Sequence, residues 1–184
     1  MRQYAFTLSA AGALVMGATA LSTTAAALET PEAKLEAGDV AARASFDRFE
    51  TFGFKDLRPG QYRWRDVPDS AGPERVVISL SDQVTYLYRG DTLMAVAATS
   101  TGIEGRNTPT GIFEVLDKKP FYRSKKYDNA PMPWMQRIDK YGVALHGGYN
   151  PGYPASHGCI RLPVAFAKKL YDVTSIGTPV IIGA

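Results

Sequence analysis

The only cysteine of the chain and both of its histidines fall within one short segment. His146 and His157 lie 13 and 2 residues before Cys159, a clustering that scattered residues would rarely produce. A thiol is mostly protonated near neutral pH, so its use as a nucleophile requires a neighbouring base or positive charge, which a histidine commonly supplies. The imidazole must in turn be held in one tautomer by a side-chain carboxylate, an amide or a backbone carbonyl. The segment therefore predicts covalent catalysis by Cys159.

Glycines flank the two histidines and shape the backbone around them. Gly158 permits a turn that presents consecutive N–H groups toward the thiol of Cys159, which is the geometry that an oxyanion hole needs for acyl transfer. Gly147 and Gly148 leave space beside His146. Ordinary structural reasons could account for each glycine alone, so the hypothesis depends on the combination.

Two other readings of Cys159 compete with nucleophilic catalysis. A free cysteine is often a small buried hydrophobic residue. Cysteine with His146 and His157 could also supply three zinc ligands, but His157 and Cys159 lack the usual wider spacing and a fourth ligand is not evident. Covalent catalysis requires no metal and no organic cofactor, and we predict neither.

The elements that must position this segment are mostly strands. Runs of β-branched and aromatic residues between turn residues predict strands at 76–80, 84–88, 92–99, 111–115, 142–145 and 180–182. The first three should form a meander, and the strand at 142–145 leads directly into His146. A helix is predicted over residues 163–173.

The residues before these strands predict a helical extension. A helix should begin after the capping residue Thr30 and continue to about Glu50, with Gly53 as its stop. Residues 55–74, rich in proline and glycine, should form a connecting loop in which Tyr62 and Trp64 anchor on the core. The predicted apolar face of the helix is an incomplete stripe of Leu35, Ala42, Phe46 and Phe49.

The cysteine segment resembles the signature of the L,D-transpeptidase catalytic domain family, the YkuD-like domain. It reads Ser156-His157-Gly158-Cys159-Ile160-Arg161-Leu162 and follows a strand that ends in His146-Gly147. Residues 77–99 resemble the opening strands of the family, and residues 100–113 resemble its second block. The resemblance implies a mostly β, β-sandwich-like domain at residues 75–184 with one helix after the catalytic motif. The N-terminal helical extension and linker would occupy residues 28–74.

The resemblance also implies a role for each residue of the motif. Cys159 matches the nucleophile of the family, and His146 matches the histidine that acts as general base and later as acid. The backbone carbonyl of Gly147 would orient that imidazole. His157 matches a second, supporting histidine, and the N–H groups of His157, Gly158 and Cys159 match the oxyanion hole.

Substrate contacts are expected around the same motif. Arg161 suits a branch of the family that carries arginine here and would contact a substrate carboxylate, although a framework ion pair is an equal alternative. Ser156 is also expected to contact the substrate. Tyr149, Tyr153 and Trp134 would line a substrate groove or serve as packing anchors. The short loop between His146 and Ser156 should give a more open site or a different lid.

The activity implied by the resemblance is acyl transfer on peptidoglycan peptide stems. Cys159 would form a thioester with a tetrapeptide stem and release D-alanine. The acceptor remains open among a second diaminopimelate, which gives a 3→3 cross-link, a D-amino acid, a lipoprotein lysine and water. An L,D-carboxypeptidase, a cysteine amidase and a non-catalytic wall-binding module are the alternatives.

Residues 1–27 read as a signal peptide. Arg2 precedes the apolar stretch Ala5 to Ala20, and Ala25-x-Ala27 fits a signal-peptidase site. The stretch is shorter than the roughly 20 residues of a spanning helix, so no stable membrane span should remain after cleavage. Export to the periplasm or cell envelope is therefore expected. The formal charge of +3 comes from scattered basic residues, which argues against a nucleic-acid partner.

Overall fold

Two α-helices, one short 3-10 helix (Asp69–Ala71) and ten strands make up the regular structure of the part of the chain that the computed structural model describes, residues 27–54 and 56–184. The signal peptide predicted at residues 1–27 lies, except for Ala27, outside the described residues. The helices are α1 (Pro31–Phe52) and α2 (Val164–Val173). The strands are β1 (Tyr62–Trp64), β2 (Glu74–Ser79), β3 (Val84–Arg89), β4 (Thr92–Ala98), β5 (Gly111–Glu114), β6 (Asp117–Lys119), β7 (Met135–Arg137), β8 (Ala144–Gly147), β9 (Ile160–Leu162) and β10 (Pro179–Gly183).

The strands form two sheets. The larger sheet has the order β1-β4-β3-β2-β10-β5 and the smaller has the order β6-β7-β8-β9. The predicted meander is present as the antiparallel series β2, β3 and β4. Only two strand pairs are parallel among the described residues, β2 with β10 and β8 with β9. The prediction of a mostly β domain with a helix after the motif is confirmed.

The main core fills the space between the two sheets and is closed by α2. From the larger sheet, β2 and β3 contribute buried aliphatic side chains, while β8 and β9 contribute them from the smaller sheet. Phe166 of α2 is fully buried among them, and the rings of Tyr62 and Trp64 pack on it at centroid distances of 5.8 and 6.0 Å. The two aromatic residues therefore contact the core as predicted, but they do so from strand β1 rather than from a loop.

Helix α1 covers the other face of the larger sheet. The Thr30 hydroxyl accepts a hydrogen bond from the N–H of Ala33, and Gly53 ends the helix in the left-handed region at φ 73°, as the capping pattern predicts. Its buried face, however, consists of alanines and one arginine: Ala33, Ala37, Ala41, Ala44 and Arg48.

The predicted apolar stripe of α1 is wrong. Leu35 is 73% exposed and Phe46 is 64% exposed, and Ala42 and Phe49 also face solvent. The helix lies so close to β10 that a Cβ added to Gly183 would stand 2.3 Å from the Ala37 carbonyl oxygen. Only small side chains fit that approach, so the larger apolar residues of α1 point outward.

None of the helices in residues 27–54 and 56–184 has the length and apolar character needed to cross a bilayer.

Candidate active site around Cys159

Parallel pairing of β8 with β9 brings the predicted catalytic residues together. His146 is the register partner of Arg161, and Leu145 is the partner of Ile160, the residue after Cys159. Paired residues of neighbouring strands share a face, as do alternate residues along one strand. His146, Cys159 and Arg161 therefore lie on one face, and all three line the same cavity.

A backbone contact holds β9 in this position. Ser100, just after β4, exchanges two hydrogen bonds with Arg161: its N–H donates to the Arg161 carbonyl at 3.0 Å and its carbonyl accepts from the Arg161 N–H at 2.9 Å. This contact ties β9, an edge strand of the smaller sheet, to the chain just after β4 of the larger sheet. The block at residues 100–113 that the sequence analysis singled out thus supports the motif from outside the cavity lining.

The imidazole of His146 is buried and held by a backbone carbonyl. His146 is 7% exposed, and its Nδ1 lies 2.9 Å from the carbonyl oxygen of Gly147. Because a carbonyl only accepts hydrogen bonds, this contact assigns the hydrogen to Nδ1 and leaves the lone pair on Nε2. Gly147 thus lies where the sequence analysis placed the orienting group.

Burial lowers the pKa of His146 to about 4, and the positive charge of Arg161 acts in the same direction. The hydrogen bond with Gly147 opposes this shift. The imidazole is therefore neutral at neutral pH, the form in which Nε2 accepts a proton.

The thiol of Cys159 is half-buried in the wall of this cavity. Its Sγ lies 3.8 Å from the carbonyl oxygen of Gly142. Burial raises the pKa of the Cys159 thiol, while the backbone N–H of Ala144 and the charge of Arg161 oppose the rise. At neutral pH the resting site thus holds a protonated thiol and a neutral imidazole, not a preformed ion pair. If the sulfur is to act as a nucleophile, a general base has to take the thiol proton.

Ser156 ties the motif into a tight turn. Its hydroxyl accepts a hydrogen bond from the Gly158 N–H at 3.1 Å and donates one to the Cys159 carbonyl at 2.5 Å. Gly158 has φ +111° and its carbonyl accepts a hydrogen bond from the buried Thr108 hydroxyl at 2.9 Å. The Ser156 hydroxyl, assigned from sequence to substrate binding, is used inside the turn. The Gly158 N–H, assigned to the oxyanion hole, points to Ser156 in this state.

A cavity of about 660 Å³ surrounds these groups. Six of the predicted catalytic and substrate-contact residues line it: His146, Tyr149, Ser156, His157, Cys159 and Arg161. Trp134 lies outside the cavity lining. Its ring packs against Tyr171 of α2 at 5.7 Å and against Phe121 at 6.1 Å.

The other wall of the cavity is a hairpin that the sequence analysis did not identify, residues 121–132, here called the flap. The Ser124 N–H bonds to the Ala130 carbonyl and the Met132 N–H to the Tyr122 carbonyl, both at 2.9 Å. The flap supplies the lid that the short loop after His146 does not provide. The pair Asp128-Asn129 at its tip, with positive φ at both residues, is the turn signal that could have revealed it.

The comparison with protein families decides the identity of the domain. The family model of the L,D-transpeptidase catalytic domain, YkuD, matches residues 73–182, more than half of the chain.

The chain belongs to the L,D-transpeptidase catalytic domain family.

Several known proteins resemble this L,D-transpeptidase domain. A curated Bacillus licheniformis protein named YkuD is 29% identical over 122 residues, which cover 62% of this chain and 68% of that protein. An L,D-transpeptidase from Mycobacterium smegmatis superposes with a TM-score of 0.57 at 22% identity, covering 60% of this chain and 58% of that one. L,D-transpeptidase 3 from Mycobacterium tuberculosis, solved with a faropenem-derived adduct, superposes with a TM-score of 0.55 at 22% identity, covering 61% of this chain and 60% of that one. The chain thus spans less than two thirds of these two structures, and they establish a shared fold.

The L,D-transpeptidase cavity has a basic lining. Lys125 and Lys126 of the flap face it together with Arg161, against one acidic residue, Asp128. None of the ion pairs within residues 27–54 and 56–184 includes Arg161. The framework ion pair considered for Arg161 is not present there, so its guanidinium is available to an anionic ligand. No group of three His, Cys, Asp or Glu side chains in the described ranges could hold a metal ion.

Proposed function

We propose that this protein is an exported peptidoglycan L,D-transpeptidase in which Cys159 forms a thioester with a tetrapeptide stem. The observation that supports this most directly is the pairing of β8 with β9, which places His146, Cys159 and Arg161 on one face of a single cavity. The thiol and the neutral imidazole are the two groups that acyl transfer by a cysteine requires. The basic lining suits a substrate that carries carboxylates.

The first half of the reaction forms the thioester. Sγ of Cys159 bonds to the carbonyl carbon of diaminopimelate at the third position of the stem, while the thiol proton passes to Nε2 of His146. The resulting oxyanion is stabilised by the backbone N–H groups of His157, Gly158 and Cys159. For Gly158 this requires its N–H to leave the Ser156 hydroxyl. The C–N bond to D-alanine then breaks, and the imidazolium returns the proton to the leaving amine.

The second half transfers the acyl group to an acceptor. An amine attacks the thioester carbonyl, His146 takes a proton from it, and the departing thiolate of Cys159 receives that proton. A second diaminopimelate as acceptor gives a 3→3 cross-link, and a lipoprotein lysine would attach that protein to the wall. Arg161 is the side chain we assign to a substrate carboxylate, and Tyr149 at the cavity rim is assigned to contact the stem.

This function also fixes the expected location of the protein. Peptidoglycan lies outside the cytoplasm, so we propose that residues 1–27 direct export and that the enzyme works in the periplasm or cell envelope. We assign residues 28–74 to an extension and residues 75–184 to the catalytic domain. Helix α1 of the extension packs on the larger sheet and strand β1 forms an edge of that sheet, so the extension supports the domain structurally.

The test is mass spectrometry of the purified protein with disaccharide-tetrapeptides, beside a Cys159→Ala variant. The proposal predicts an adduct on Cys159, release of D-alanine and formation of cross-linked dimers. An adduct that yields only tripeptide would replace the transferase with a carboxypeptidase. Unchanged products in Cys159→Ala, with its fold confirmed by circular dichroism, would leave a wall-binding module as the better account.

A β-lactam gives an independent probe of the nucleophile. A faropenem-derived adduct is present in the Mycobacterium tuberculosis structure that shares this fold. We expect faropenem to add mass to this protein as well, and peptide mapping should locate the adduct on Cys159. The Cys159→Ser variant should gain no mass under the same conditions. An adduct on another residue would contradict the assignment.

A further inference from the structure

A second cavity, of about 700 Å³, adjoins the catalytic cavity. Gly148 and Tyr149 line both, so the two spaces are contiguous at these residues. The second cavity lies between the loop at residues 148–153, the start of α2 and the chain segment at residues 59–62. We call it the tyrosine groove, defined by Tyr62, Tyr149, Tyr153, Pro59 and Pro151.

The walls of the tyrosine groove are held by internal contacts. Asn150 is 7% exposed, and its amide accepts a hydrogen bond from the Ser100 hydroxyl at 3.0 Å and donates one to the Ala98 carbonyl at 2.5 Å. The opposite wall touches this loop, since a Cβ added to Gly152 would stand 2.8 Å from Cγ of Pro59. The groove is therefore preformed, and binding requires little ordering of its walls.

The chemistry of the groove differs from that of the catalytic cavity. No lining residue of the groove carries a charged side chain, whereas Lys125, Lys126 and Arg161 face the catalytic cavity. Tyr149 is 79% exposed and Tyr153 is 61% exposed, so their rings are open to a ligand. Tyrosine offers an apolar face with a hydroxyl that forms hydrogen bonds. A pyranose ring presents the complementary surface, apolar C–H faces with hydroxyls around the edge.

We propose that the tyrosine groove binds a neutral N-acetylated saccharide of the glycan strand while the attached peptide stem occupies the catalytic cavity. This rests on the proposed function, because the stem is the reacting part of the same substrate. Charge separates the two occupants: the stem carries carboxylates and amines, whereas the sugar carries none. Tyr149 lines both cavities and would contact both the stem and the saccharide.

The first experiment compares a disaccharide-tetrapeptide donor with the same tetrapeptide without sugar. Tyr153→Ala should raise KM for the sugar-bearing donor about fivefold, as expected for one aromatic contact, and should leave both kcat and the KM of the sugar-free donor unchanged. Tyr153→Phe should retain most of the affinity. Phe46→Ala is the control, because it also removes an exposed ring, 64% exposed, on the far helix α1. Equal effects of Tyr153→Ala on both donors would overturn the proposal and leave the transpeptidase intact.

The second experiment does not depend on catalysis. A trimer of N-acetylglucosamine is titrated into the Cys159→Ala protein and followed by NMR of the backbone amides. The proposal expects saturable shifts at Gly148 and Gly152 that are lost with Tyr153→Ala. Shifts elsewhere, or none, would contradict it even if the enzyme proves active. If neither donor reacts but the trimer binds, the proposed function fails and the saccharide site stands.

Discussion

The ring of Tyr127 lies over the imidazole of His157, with 4.4 Å between the ring centroids and 41° between the planes. Tyr127 belongs to the flap, and His157 lies two residues before Cys159 in the predicted catalytic motif. His157 is otherwise exposed. This contact joins the tip of the flap to the motif and closes the cavity on that side.

Removing the Tyr127 ring should therefore open the cavity. In Tyr127→Ala we expect Cys159 to react about 2- to 10-fold faster with a bulky maleimide, because one aromatic contact contributes about 0.5–1.5 kcal/mol. Reaction with small iodoacetamide should change less. Tyr127→Phe keeps the ring and should behave like the wild type. An equal maleimide rate in Tyr127→Ala and in the wild type would show that the contact between Tyr127 and His157 does not restrict access to Cys159.

The neutral state of His146 should extend activity to acidic pH. A base with a pKa lowered to about 4 by burial stays unprotonated well below the usual histidine range. On the acidic side, kcat/KM should then decrease with a midpoint near pH 4, instead of near the ordinary histidine pKa of about 6.5. Measurements of kcat/KM from pH 3 to 8, with circular dichroism at each pH to verify folding, would test this. A midpoint near 6.5 would mean that water reaches the imidazole.

The thiol should ionise at higher pH than a free cysteine. Because burial raises the pKa of Cys159, alkylation by iodoacetamide should be slower at pH 8 than that of an unstructured cysteine peptide, with a more alkaline midpoint.

Arg161→Gln removes the positive charge near the Cys159 thiol and the His146 imidazole. Arg161 lowers the pKa of Cys159 and of His146, so its removal should raise both. The alkylation midpoint should move to higher pH, and the acidic limb of kcat/KM should move to higher pH as well. KM for the stem should also rise if Arg161 binds a substrate carboxylate. A rise in KM with both midpoints unchanged would assign Arg161 to substrate binding alone.

The close approach of α1 to β10 predicts opposite effects of two glycine substitutions. Gly183→Ala forces a Cβ to 2.3 Å from the Ala37 carbonyl, and this overpacking should cost about 1–3 kcal/mol of unfolding free energy. Gly38→Ala, on the same helix, meets no atom within 4 Å and should stabilise by about 0.5–1 kcal/mol. Urea denaturation measures both. A neutral Gly183→Ala would mean that the helix can move away from the sheet.

Local signals in the sequence predicted part of this architecture well. Thr30 and Gly53 marked the ends of α1 because caps are set by nearby residues, and the meander followed from runs of β-branched and aromatic residues between turns. Strands β6, β7 and β9 were not predicted, since each has three residues, too few to show a period. They exist because neighbouring strands pair with them, which a local pattern does not reveal.

The site could be predicted only in part from the sequence, because tertiary contacts do not show in a local pattern. The motif around Cys159 predicted which side chains share the cavity, but the flap residue Tyr127 reaches His157 only through tertiary folding. The face of α1 was predicted wrongly because hydrophobicity alone favours Leu35 and Phe46, whereas the available distance to the sheet favours alanine. Trp134 was expected near the substrate, and its packing on Tyr171 depends on where α2 lies.

Strand β10 occupies a place in the larger sheet between β2 and β5, parallel to the first and antiparallel to the second. Its partner β2 ends at Ser79, so residues 80–178 must be synthesised before β10 can join. Until then β5 is not joined to the four strands β1, β4, β3 and β2, and the chain leaving the ribosome lacks the hydrogen bonds on both sides of β10. Such late closure keeps a nascent chain open for longer and slows its folding, because distant segments must meet before the sheet is complete.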